Sequence, residues 1–155
     1  MKHNLSEWFP TEPDFELFGI VSHLKDYRVC WMLNEILALE LKRIDDFQEE
    51  KEKPEIPCYA QFIWEDEINH REIYLIANQP ILKSAMQVTG TLFETEKLEL
   101  LIPEKPKVDY FLKLHGQFNN DELTELEQHL NSINGISMAQ RINPSTLKHF
   151  AHLIH

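Results

Sequence analysis

The sequence predicts an α+β fold: a mixed, mostly antiparallel sheet with a β-hairpin, a C-terminal β-α-β unit and three or so helices packed on it. Three observations predict it. Residues 14–23 carry apolar side chains at both strand parities, as a strand covered on both faces does. Two segments, 26–43 and 119–135, carry apolar residues at helical spacing. Residues 56–65 and 70–77, rich in Tyr, Ile, Phe and Trp, bracket Asp66–Asn69 and read as a hairpin. A ferredoxin-like β-α-β-β-α-β core with additions is one specific arrangement of these elements.

Taken in order, residues 1–13 are an irregular entry broken by Pro10 and Pro13, with Trp8 and Phe9 tucking it onto the body. In the strand 14–23, Phe15, Leu17 and Val21 share one face, and Phe18 and Ile20 the other; Gly19 between them lets a neighbouring helix approach. Asp26 caps a helix running to about Arg43, with Val29, Met32, Leu33, Ile36, Leu37 and Leu39 inward. Trp31 and Ala38 fall on its other side, where a purely solvated helix would carry charge. Residues 43–48 form a short strand, and 49–55 (EEKEKPE) a charge-dense loop.

In the hairpin, Ile56, Cys58, Ala60, Phe62 and Trp64 share a face, and Pro57 places the start of that strand at an edge. The span 79–106 is irregular, interrupted by Pro80, Gly90, Pro103 and Pro106. A strand follows at 107–115, with Val108, Tyr110, Leu112 and Leu114 on one face and Lys107, Asp109, Phe111, Lys113 and His115 on the other. Asn119 and Glu122 form a capping-box pattern ahead of Leu123, Leu126, Leu130 and Ile133, with Gly135 as the stop. A strand at 136–142, parallel to 107–115, and a terminal helix from Asn143–Pro144 complete the chain, read as one domain over 1–155.

Composition excludes several functions. With 15 Lys plus Arg against 26 Asp plus Glu, the net charge is −11 and no basic stripe is visible, which disfavours nucleic acid and anionic membrane surfaces as partners. No window resembles a secretory signal or a membrane span, so a cytoplasmic location is expected. The two cysteines, Cys30 and Cys58, read as buried thiols of a reducing compartment. Only 4 glycines are present, and no glycine-rich nucleotide loop occurs among them. His149, His152 and His155 crowd the C-terminus, but no HExxH, paired CxxC or spaced carboxylate accompanies them; no metal or other cofactor is expected.

Ile102, Pro103, Glu104, Val108, Asp109 and Tyr110 fit the signature IPExxxVDY at all six specified positions. The chain therefore resembles the bacterial proteins named after that motif, the IPExxxVDY family. The resemblance implies a bacterial cytosolic protein of one domain and carries no reaction, substrate or cofactor. Physically, Pro103 and Pro106 stiffen the approach to a strand, Val108 and Tyr110 point to the core, and Glu104 and Asp109 pair with neighbours or cap loops. A catalytic role for Glu104 and Asp109, with Tyr110 or His115 as acid–base partner, requires a cleft and raised pKa values.

Two functions fit. The first is a non-catalytic interaction module, a homodimer or a binder of another cytosolic protein, with Trp31 and Ala38 at the interface. The second is a small-molecule-binding regulatory domain or small enzyme with a pocket near the 79–106 span.

Overall fold

The structure is a computed structural model that describes residues 14–48, 56–81 and 99–153. Six strands form one sheet: β1 (Phe15–Val21), β2 (Lys42–Phe47), β3 (Tyr59–Asp66), β4 (Arg71–Ala77), β5 (Tyr110–His115) and β6 (Met138–Ile142). Their spatial order is β2-β3-β4-β5-β1-β6, and every neighbouring pair is antiparallel. Helix α1 (Asp26–Leu37) follows β1, and α2 (Asn120–Ser132) joins β5 to β6. The expected hairpin is β3–β4, its turn held by the Asp66 carboxylate, which accepts from the Ile68 and Asn69 amides and the Asn69 side chain. No helix among the described residues is long and apolar enough to cross a membrane.

The sheet is covered on both faces, as the two apolar parities of β1 require. Phe18 and Ile20 of β1 join Leu112 and Leu114 of β5 beneath α1 and α2, which contribute Val29, Cys30, Leu33, Leu123 and Leu130. On the opposite face, Phe15, Leu17 and Phe111 pack against Leu101, Ile102, Leu147 and Leu153, which lie outside the strands and α-helices. Gly19 sits on that second face. A Cβ there would lie 2.7 Å from Ile142 Cδ1 and 3.0 Å from a Val108 methyl, so the glycine makes room for these side chains rather than for a helix.

Several expectations are corrected. Helix α1 stops at Leu37 instead of running to Arg43, because Ala38 adopts the left-handed conformation (φ 54°) and its N–H bonds back to the Asn34 carbonyl. Lys25, not Asp26, occupies the N-cap position; Asp26 lies in the first turn and pairs with Arg43. Strands β5 and β6 run in the same direction but are not neighbours, since β1 lies between them and is antiparallel to both. The sheet is therefore antiparallel throughout, not mixed. The expected terminal helix is two short 3₁₀ turns, Pro144–Thr146 and Phe150–Leu153. Val108 precedes β5 and packs on the second face, opposite Tyr110, Leu112 and Leu114. The entry 1–13 with Trp8 and Phe9, the charged loop 49–55, and 82–98 of the irregular span lie outside the described residues.

The β6 edge is closed by the helix that precedes it. Asn131 of α2 donates its side-chain amide to the Ala139 carbonyl (2.8 Å) and accepts from the Ala139 N–H (2.9 Å), while Glu127 accepts from the Arg141 N–H (2.9 Å). These are outward-facing backbone groups that another strand would otherwise recruit. The Asn119–Glu122 capping box fixes the start of α2 and thus the register of both side chains against the edge. Asn131→Ala is expected to cost about 1–2 kcal/mol for two lost hydrogen bonds and to promote concentration-dependent aggregation, read by urea denaturation and light scattering.

Candidate functional site

The signature segment folds as two consecutive turns. Lys105 N–H bonds to the Ile102 carbonyl (3.0 Å) and Val108 N–H to the Lys105 carbonyl (3.2 Å), which places Pro103 and Pro106 each second in a four-residue turn. That position wants the φ that proline supplies. Ile102 is buried and joins the second-face core.

The turns are organised from outside the motif. Asn78, at the exit of β4, is completely buried. Its side-chain N–H groups donate to the carbonyls of Lys105 (3.0 Å) and Val108 (2.8 Å), and its side-chain oxygen accepts from the Ile102 N–H (2.8 Å). Its backbone N–H donates to the Asp109 carbonyl and its carbonyl accepts from the Leu101 N–H. Sequence reasoning did not single out Asn78. Its place after a strand and two residues before Pro80 marks a chain exit, but nothing local shows that its amide meets residues 24 to 30 positions onward.

The motif's polar side chains diverge. Glu104 receives the His149 backbone N–H (2.8 Å) and lies 2.7 Å from His149 Nδ1, fastening the C-terminal segment. Partial burial works against its charge, yet the bonds from His149 hold its carboxyl below the usual range. Asp109 turns the other way and accepts from the Ser22 N–H (2.9 Å), and its own N–H extends the β1 pairing to the Ile20 carbonyl. Tyr110 donates its hydroxyl to the Leu24 carbonyl. Burial, then the charges of Asp26 and Asp109, push Tyr110 up to about 12, so it stays a hydrogen-bond donor at neutral pH. Asp109 and Tyr110 thus hold the 22–24 turn that launches α1.

An open depression of about 450 Å³ lies beside that turn, lined by Lys25, Asp26, Gln79, Asp109 and Tyr110 among others. Glu104 and His115 do not line it, so the structure does not bring the four suggested acid–base residues together. His115 lies instead on the second face, beside Phe15 and Tyr74. Burial and the Lys113 charge lower its pKa.

Lys113 is a buried cation without an ion-pair partner among the described residues. It is 0 % exposed, donates to the Leu153 carbonyl (2.5 Å) and stands 4.4 Å from the Tyr74 ring centre. Its burial follows from sharing the Phe111 face of β5. Desolvation lowers its pKa to about 8 despite the opposing pull of Glu72 and Asp14. No substrate can approach a side chain this enclosed, so its effect falls on stability.

The remaining predicted residues lie on or beside α1. Trp31 and Tyr27, four positions apart, are each 60 % exposed, and Ile36 is 49 % exposed. Ala38 is exposed at the helix end, where its left-handed conformation stops α1.

Lys113 gives a signed pH dependence. Its folded pKa of about 8 lies below the ordinary 10.5, so its penalty is full below pH 8 and shrinks as pH rises. Tyr110 acts oppositely above its ordinary 10, because its folded pKa is raised. The urea midpoint of the wild type is therefore expected to rise from pH 8 to pH 10 relative to that of Lys113→Met; parallel profiles contradict this account. No family model matches the chain, and neither does any curated protein or solved structure.

Proposed function

We propose that the chain is a non-catalytic, self-associating module whose contact surface is the exposed flank of α1. The observation that carries this reading is the pair Tyr27 and Trp31, two large aromatic side chains 60 % exposed on one flank of a helix whose other side is firmly packed. Aromatic residues are enriched at interface cores because they remove much apolar surface from water at little cost in side-chain entropy. A second copy fits because a two-fold contact sets the same patch against itself, and the exposed Arg28 and Glu35 supply opposite charges for an antiparallel pair of α1 helices. Burial of this apolar patch must overcome the repulsion between two chains of net charge −11, so the dimer should strengthen with added salt.

The finer fold belongs to the same reading. Strands β6, β1, β5 and β4 with the two α-helices are a ferredoxin-like core, and β2 and β3 are an addition along one edge. The signature segment works as a clasp, Glu104 on the C-terminal turn and Asp109 with Tyr110 on the α1 launch.

The depression beside the 22–24 turn favours a second reading, a small-molecule site bordered by Lys25, Asp26 and Gln79. Its weakness is that Asp109 and Tyr110 already serve backbone groups.

Sedimentation velocity over a micromolar concentration series is expected to show a monomer–dimer equilibrium. Trp31→Ala should weaken it at least tenfold while moving the thermal midpoint by no more than about 2 °C, as surface substitutions do. A wild type that stays monomeric at every concentration overturns the proposal.

A further inference from the structure

The two edges of the sheet are treated differently. The outer backbone of β6 is occupied by Asn131 and Glu127 of α2. β2 ends the sheet on the other side, and among the described residues no further strand pairs with it. An edge of this kind is a template for a strand of matching character.

The sequence of β2 says which strand matches. Lys42 and Arg43 lead it, Ile44 is central, and Asp45 and Asp46 follow. Read against itself in the antiparallel direction about Ile44, this order sets Lys42 across from Asp46 and Arg43 across from Asp45. Opposite charges directly across two strands stabilise the pairing, and like charges oppose it. Within one chain Arg43 pairs with Asp26 and Asp46, whereas Lys42 and Asp45 are exposed and have no ion-pair partner among the described residues. A second copy supplies a partner to each. A strand of another charge order meets repulsion instead.

The aromatic flank of α1 lies on the same side. Asn34 accepts from the Leu41 N–H (2.8 Å) and donates to the Leu41 carbonyl (3.2 Å), just ahead of β2, and Asp26 reaches Arg43 (3.5 Å). At about 100° per residue, Tyr27 lies roughly 20° and Trp31 roughly 60° around the helix from Asn34. The two exposed aromatic side chains therefore stand on the β2 side of α1.

We propose that a second copy of this chain adds at β2, antiparallel and centred on Ile44, so that two six-stranded sheets become one and the two α1 flanks meet over the junction. The inference deepens the self-association reading and rests on it. A two-fold axis normal to the sheet at Ile44 reverses β2 against β2 and α1 against α1 together. The register shift between Ile44 and Phe47 keeps the paired run short, so the strands set the register and the aromatic residues supply most of the burial. The occupied β6 edges stop the assembly at two copies.

Sedimentation velocity of Lys42→Glu and of Asp46→Lys, each alone, is expected to show self-association weakened about tenfold, since each variant sets like charges across the junction. An equimolar mixture of the two restores both opposite-charge pairs and should bring association back to within about threefold of wild type. Hydrogen exchange of the wild type tests the same pairing without a variant: amides within residues 42–46 should exchange more slowly in dimer-rich than in dilute solution. Unchanged exchange over 42–46, or a mixture no stronger than its components, overturns the β2 pairing, and leaves the α1 contact standing where dimerisation still depends on Trp31. A wild type that is monomeric at every concentration overturns both.

Discussion

A primary amide sealed inside an apolar core must satisfy every hydrogen-bonding atom it carries, and Asn78 imposes that constraint on the rest of the molecule. Its side chain serves three backbone groups of the signature turns, and its own backbone serves Asp109 and Leu101. Asn78 and the Ile102 N–H are buried, so a displaced turn leaves the Asn78 amide and that N–H unpaired away from water, each costing about 1–3 kcal/mol. The turns can therefore sit in one place only. From that place Glu104 reaches the C-terminal segment, and Asp109 and Tyr110 reach the loop that starts α1. The position of the exposed aromatic flank thus descends from an amide on the other side of the β1–β5 pairing.

Much of the sheet was legible because strand patterns are local. The two parities of β1, the aromatic hairpin and the Asn119–Glu122 capping box are signals carried within a few residues. Lys113 shares the parity of Phe111, but a face that also carries Lys107, Asp109 and His115 gives no sign in sequence that the lysine is buried. What sequence could not supply depended on distant partners or on single backbone angles. Ala38 in the left-handed region ends α1 where its apolar period would have continued. The terminal segment carries a helical spacing of apolar residues, yet it closes as 3₁₀ turns tied down by Glu104, Leu101 and Lys113, contacts 40 to 51 residues away. Asn78 gave no signal because its partners lie across the irregular span.

The candidate site was legible in its residues and not in their directions. Glu104 and Asp109, five positions apart, invite a carboxylate pair, but the two turns aim them at different segments, Glu104 at His149 and Asp109 at the Ser22 N–H. The same separation leaves two surfaces of different character. One is the α1 flank with Tyr27 and Trp31; the other is the cavity that His149 and His152 line under the C-terminal turn. Both are positioned by one clasp, so a change in it moves both.

Native-state hydrogen exchange of the wild-type chain tests this dependence most directly. If the Asn78 network is integral to the core, the amides of Ile102, Leu101, Asp109 and Ser22 exchange only through global unfolding, with opening free energies within about 1 kcal/mol of the total stability. Should these four amides open several kcal/mol more easily than those of Leu112 and Phe18, the signature segment is a dispensable surface loop and the account is wrong.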